Sequence, residues 1–285
     1  MTELNIEAIE SKLKALKSIG EIVGSMKALS AHSIRKAEGL LPHLRTYAEN
    51  IEDSLAQILH YFPEAVRVDF EGEGQRACVV FTSEQGLCGV FNERIVNEAE
   101  GFLDEKTVGL ILSGRKGIEE AESRGLPVIL SLSSPVSVEA VDIKVMNLAT
   151  ELFTLYSQRY FQQLYLLFAY YRRRSDYLII RQRVLPPPFK RILKRTKKKR
   201  APLVYMAPED ILEDLMRQYL IVALYKAFIE SLASENASRM LSMERASRNI
   251  DEKFAELSEL YNYLRQEEIT NETIEITSGF EAIRK

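Results

Sequence analysis

Among the 285 residues, Ser83-Glu84-Gln85-Gly86-Leu87-Cys88-Gly89 comes nearest to a chemical motif. It follows the apolar run Ala77–Phe81 and precedes a helical stretch, which is where nucleotide-binding folds place a phosphate loop. It matches neither G-x-G-x-x-G nor G-x-x-x-x-G-K-[ST], and no lysine stands at the helix entry. A tight strand-to-helix turn needs the same glycines. Cys88 is a nucleophile only with a base beside it, and His32, His43 and His60 all lie near the N-terminus. Those histidines are too far apart along the chain to suit a metal. The carboxylates form no recognisable catalytic pair. The sequence therefore predicts no catalytic residue, no cofactor and no metal site.

Charge narrows the classes further. A formal net charge of −3 excludes a chain that holds nucleic acid by its overall field. One segment is the exception: Lys190–Arg200, KRILKRTKKKR, has eight basic residues in eleven. It reads as a solvated loop or as a contact for acidic lipid headgroups or nucleic acid. Two cysteines, Cys78 and Cys88, fit a reducing compartment. No apolar run reaches the roughly 18 residues of a membrane span, and the N-terminus lacks the basic-then-apolar order of a signal peptide. The expectation is a cytosolic chain that meets a membrane through a partner.

The elements are dominated by the two ends. Glu209 to Glu268 contains neither Pro nor Gly, a helix approaching roughly 90 Å. Leu220–Leu224 is apolar almost all round, so it should be buried. Later, Met243, Ser247, Ile250, Phe254, Leu257, Tyr261 and Leu264 alternate steps of four and three, the seam of a coiled coil. The first 62 residues supply a partner helix, capped by Thr2. Its apolar positions are Ile6, Ile9, Leu13, Leu16, Ile19, Ile22, Met26 and Leu29, with an extra three-residue step that overwinds a coiled coil. Beyond Ser33 the phase resets, from Ala37 and Leu41 onward, and Pro42 threatens a kink. Small residues between Gly20 and Ser33, and between Ser231 and Ser238, point to close approach of the two helices.

Between Arg67 and Pro188 short apolar runs alternate with helical ones. Strands are expected near Ala77–Phe81, Val108–Leu112, Leu126–Leu132, Leu164–Tyr170 and Tyr177–Val184. Helices are expected at Asn92–Leu103, Arg115–Arg124 and Val138–Arg159. This is an α/β domain with a mostly parallel, Rossmann-like sheet and an antiparallel hairpin at one edge. The predicted organisation is a coiled-coil helix over 1–62, the α/β domain with its basic loop over 67–206 (Leu203–Met206 being a short strand or turn), and a second coiled-coil helix over 207–285.

Three stretches carry a family resemblance. IGEIVGSMKALSAHSIRKAE near the start resembles the N-terminal helix of the gamma subunit of rotary F-type ATP synthases. SEQGLCGVFN looks like that family's S-x-K-G-L-C-G-x-x-N signature. ASENASRMLSMERASRN, followed by YNYLRQEEITNETIEITSG, is similar to its tail. The resemblance implies a non-catalytic rotor shaft of the F1 sector, at the cytoplasmic face of the membrane. Its partners would be the alpha and beta subunits, epsilon and a c ring that translocates H+ or Na+. It also implies roles for single residues: Met26, Lys27, Arg239, Gln266, Thr270 and Glu275 at the alpha/beta ring, and Arg35, Lys36, Tyr47 and Tyr205 at the c ring and epsilon. Three departures point to a divergent or alternative member of the family: Gln85 replaces the signature lysine, Gly24 a basic residue, and Lys190–Arg200 is not a usual family feature. The competing readings are a free-standing coiled-coil adaptor using that basic run, and a nucleotide-dependent enzyme using Ser83–Gly89.

Overall fold

A computed structural model describes residues 6–65, 74–172, 176–194 and 201–283. Helix α1 spans Ile6–Tyr61 and helix α6 spans Pro208–Ile283, 56 and 76 residues long. Between them come β1 (Arg76–Phe81), α2 (Phe91–Glu100), β2 (Thr107–Ser113), α3 (Arg115–Ser123), β3 (Val128–Leu132), α4 (Val141–Ser157), β4 (Gln163–Arg172), β5 (Asp176–Leu185) and a short α5 (Phe189–Lys194). Contacts divide the chain into two compact units: Met1–Leu29 with Leu241–Lys285, and Ser30–Met240.

In the larger unit the sheet order is β3-β2-β1-β4-β5. The first three pairings are parallel and β4–β5 is the antiparallel hairpin at the edge. A parallel sheet covered on both faces needs strands that are apolar on both sides. β1 meets that demand by alternation. Ala77, Val79 and Phe81 join the cluster built with α1, α4 and α6, whereas Cys78 and Val80 join the one built with α2 and α3. The Phe81 ring meets Phe228 of α6 edge-on at 4.7 Å. Each such buried ring contributes about 1.5–3 kcal/mol. α6 enters this core as expected, with Leu220, Val222 and Leu224 buried.

In the smaller unit α1 and α6 run antiparallel. A methyl group added at Gly20 would stand 3.7 Å from Ile250 Cγ2, and Lys27 Nζ lies 3.9 Å from Glu244. The α6 seam is as read from the sequence, except that Phe254 is exposed.

Several expectations need correction. Burial along α1 keeps an unbroken three-four alternation through Leu16, Gly20, Val23, Lys27, Ser30, Ile34 and Ala37, with neither an overwinding step nor a phase reset. Ile19, Ile22 and Leu29, expected in the seam, are 48%, 60% and 67% exposed. Each stands one position before a seam residue, Gly20, Val23 and Ser30, and so is turned about 100° off the seam. Pro42 does not interrupt α1; its carbonyl accepts a hydrogen bond from Thr46 Oγ1 at 3.1 Å. Ser231, Ser234 and Ser238 bond to the sheet and its loop. Of the two readings of Leu203–Met206, the strand is absent and the chain bends at Tyr205 and Met206. The basic run begins inside α5, where Ile192 is buried and Arg191 pairs with Glu52 at 3.2 Å. The rest of that run, and the Thr2 cap, lie outside the described residues.

Candidate functional site

The Ser83–Gly89 loop leaves the carboxyl end of β1, whose neighbours β2 and β4 lie on either side. That is the switch point at which doubly wound sheets receive ligands. Leu87 and Gly89 take positive φ, 63° and 60°, which turns the chain sharply into α2. Inside the turn the Ser83 N–H donates to Asn92 Oδ1 at 2.9 Å. Asn92 Nδ2 donates to Ser83 Oγ at 2.8 Å and stands 3.4 Å from Cys88 Sγ. Burial pushes the Cys88 thiol above its usual range, the reverse of what a nucleophile requires. His32, His43 and His60 are exposed on α1.

Three carbonyls of this loop are already committed. Ser238 Oγ donates to the Cys88 carbonyl at 2.7 Å. Arg239 Nε donates to the Gly86 carbonyl at 3.2 Å, and Nη2 to the Gln85 carbonyl at 3.1 Å. A phosphate cradle presents N–H donors; this loop turns acceptors toward α6. Donors at the next turn are also taken, for Glu84 Oε2 accepts from the Ser134 N–H at 2.8 Å and the Arg115 N–H at 3.3 Å. The crevice is filled by the chain's own carboxylate and guanidinium. An open cleft of about 440 Å³ lies outside the loop, and its one lysine, Lys116, is paired with Glu119 at 2.6 Å.

Arg239 is 4% exposed, with its fork spent within the chain. Besides the two carbonyls it pairs with Glu235 Oε1 at 2.6 Å and donates to Asn236 Oδ1 at 3.2 Å. Burial pushes the Glu235 carboxyl up to about 7; Arg239 opposes that rise and the charge of Glu84 adds to it. Such a pair is costly to break from one side, because the remaining charge stays buried. A little earlier on α6, Glu230 is fully buried between Arg45 Nη2 at 3.0 Å and the Tyr171 N–H at 3.0 Å.

The other residues singled out from the sequence fall in two groups. In the smaller unit, Met26 is half-buried, Lys27 pairs with Glu244, and Gln266, Thr270 and Glu275 are exposed on α6. Thr270 Oγ1 donates to the Gln266 carbonyl at 2.7 Å. Exposed Ile269, Ile274 and Ile276 stand among them. In the larger unit, Arg35 is exposed, Lys36 pairs with Glu139, and Tyr47 OH meets Gln218 Oε1 at 3.2 Å. Tyr205 is 94% exposed. Sequence reasoning missed Glu84, Glu230, Glu235 and the three serines as a bonded set. The one available signal was the spacing of Ser231, Ser234 and Ser238 along a single helix face.

Among the described residues no helix is long and apolar enough to cross a membrane. A family model described as ATP synthase matches residues 5–283. The ATP synthase gamma chain of Geobacter metallireducens is 30% identical over 295 residues, covering 98% of this chain and 99% of that one. That of Aquifex aeolicus is 28% identical, covering 100% and 99%. Among solved structures, a chain of the Euglena gracilis mitochondrial ATP synthase (OSCP/F1/c-ring) matches with a TM-score of 0.65 at 18% identity, covering 98% of this chain and 94% of that one. One from the central stalk and c ring of the Tetrahymena thermophila enzyme matches with a TM-score of 0.61 at 24% identity, covering 79% and 99%. With its whole length matched, its terminal helices paired and its crevice filled from within, this chain belongs to the ATP synthase gamma chain family.

Proposed function

We propose that the chain is the non-catalytic central shaft of a membrane-bound rotary ATP synthase or ATPase. It turns inside a ring of alpha and beta subunits and couples H+ or Na+ movement through a c ring to ATP synthesis or hydrolysis on beta. The observation that carries this reading is a family match from end to end, over 98% of this chain and 99% of a gamma chain 30% identical to it. The paired helices suit the task, since two helices sharing a seam twist less than one.

The contact residues are those the resemblance implies, and exposure supports them except at Met26 and Lys27, which are half-buried, and at Arg239. Met26 and Lys27, flanked by the exposed apolar stripe Ile19, Ile22 and Leu29, are assigned to the alpha/beta ring together with Gln266, Thr270 and Glu275. Polar groups there can exchange hydrogen bonds at each rotary step. Arg239 belongs to that contact at one remove, holding the loop whose exposed Leu87 and Val90 meet the partner. Arg35, Lys36, Tyr47 and Tyr205 are assigned to the c ring and epsilon. The complex then sits peripherally, on the cytoplasmic face of the membrane.

The test is reconstitution. Alpha, beta and epsilon subunits and c-ring-containing membrane vesicles should give ATP-driven ion uptake only when this chain is added. Uptake that proceeds equally without it refutes the proposal.

A further inference from the structure

Five polar side chains on one ten-residue stretch of α6 all bond to main-chain groups at the carboxyl ends of two neighbouring strands or in the loop that follows one of them. Ser231 Oγ donates to the Phe81 carbonyl ending β1, at 3.2 Å. Ser234 Oγ is shared between its own helix, at the Glu230 carbonyl (2.8 Å), and the Ala169 carbonyl of β4 (3.2 Å). Ser238 and Arg239 take the carbonyls of Cys88, Gln85 and Gly86, and Glu230 accepts the N–H of Tyr171. Positions 231, 234 and 238 share one face of a helix.

Two features separate this face from ordinary core packing. Its partners are backbone atoms, whose positions the sheet fixes without reference to side-chain rotamers. Its bonds are directional, falling off steeply when the donor angle opens, whereas apolar contact is non-directional and tolerates sliding. The adjoining apolar face of α6, at Leu224, Ala227 and Phe228, supplies burial; the serine face supplies angular registry. Rotating α6 about its axis would break bonds to β1, β4 and the loop together.

We propose that Ser231, Ser234 and Ser238 are positioning residues that, with Glu230 and Arg239, key the rotational phase of α6 to the α/β sheet. This makes the face the point where torque passes between the helix and that domain. The inference rests on the rotor reading and adds to it where the turning force is carried.

The experiment uses the assembled, membrane-reconstituted complex, comparing wild type with Ser231→Ala/Ser234→Ala/Ser238→Ala. The expected result is that ATP hydrolysis by the alpha–beta–gamma assembly is kept while ions pumped per ATP fall, on the order of fivefold or more, fivefold being the factor that a single lost neutral hydrogen bond makes in an equilibrium. Equal pumping per ATP in an assembled triple variant overturns the proposal. Should the triple variant fail to assemble, Ser238→Ala and Ser238→Thr decide. Ser238 is only partly buried, so Thr fits and retains the hydroxyl. Threonine restoring the pumping ratio that alanine lowers supports the key; equal ratios in both refute it. A wild-type complex that hydrolyses ATP without pumping would count against the rotor reading instead.

Discussion

Arg239 shows how a residue recognisable from sequence can act somewhere other than the surface. Its guanidinium reaches two loop carbonyls and two side chains at once, which the planar fork of Arg allows and the point charge of Lys does not. Arg239→Lys should therefore fold but loosen the loop, costing about 1–3 kcal/mol in the unfolding free energy. Amide exchange of Gln85–Cys88 should accelerate with it; unchanged protection there would refute the clamp. Glu235 allows a sharper test. Its folded carboxyl titrates near 7, above the ordinary carboxylate range, so the folded chain holds a proton that the unfolded chain has already lost. Stability from this group is full below the unfolded value, near 4.5, and is lost as pH rises towards 7. Glu235→Gln cannot ionise, and its stability relative to wild type should rise between pH 5 and pH 8. Urea unfolding of both chains at the two pH values measures this, and a constant difference would place the titration elsewhere.

At the scale of elements, much was legible because periodicity reports burial. Both long helices, the strand-helix alternation and the hairpin at the sheet edge all leave apolar repeats, and the structure has each of them. The phase of α1 was not legible. Choosing the largest apolar residue in each turn selects Ile19, Ile22 and Leu29, but the seam runs one position later, through Gly20, Val23 and Ser30, two of which carry no apolar side chain to reveal it. The serine face was hidden for a related reason: small polar residues in a helix read as spacing, and their bonds run to main chain some 65 to 150 positions away. Two substitutions in α1 separate seam from surface. Gly20→Ala adds a methyl at an ordinary contact distance from Ile250 and removes the helix cost of glycine, so it should raise stability by about 0.5–1 kcal/mol. Ile22→Asp, on the exposed stripe, should leave the chain's unfolding midpoint nearly unchanged while lowering ATP turnover of the assembled complex. Thermal unfolding and turnover assays distinguish them. A large loss of stability from Ile22→Asp would return that residue to the seam.

The two compact units draw on the same two helices, so a single polypeptide end supplies residues to both. Where their pairing stops then defines what is left for partners. Gly20 opposite Ile250 and Lys27 opposite Glu244 set the register. Extended along both helices, it brings Leu264, the last partly buried position of α6, level with Ile6, where described α1 begins. From Arg265 to Gly279 every residue of α6 is exposed. An isolated helix is marginal in water, and this one carries Ile269, Ile274 and Ile276 on its surface, an apolar set that gains from cover by another protein. Among the exposed side chains around them that can exchange hydrogen bonds are Gln266, Thr270 and Glu275. Gln266→Ala/Thr270→Ala/Glu275→Ala should therefore leave the unfolding midpoint of the free chain unchanged, since no tertiary partner of these residues lies among the described ones. Assembly should persist through the apolar set, while ATP turnover of the complex falls on the order of fivefold or more, as expected when polar contacts made during the cycle are removed. Turnover equal to wild type in a fully assembled complex would take these three residues off the contact surface. A drop in the free chain's own stability would mean that the segment packs against its own molecule.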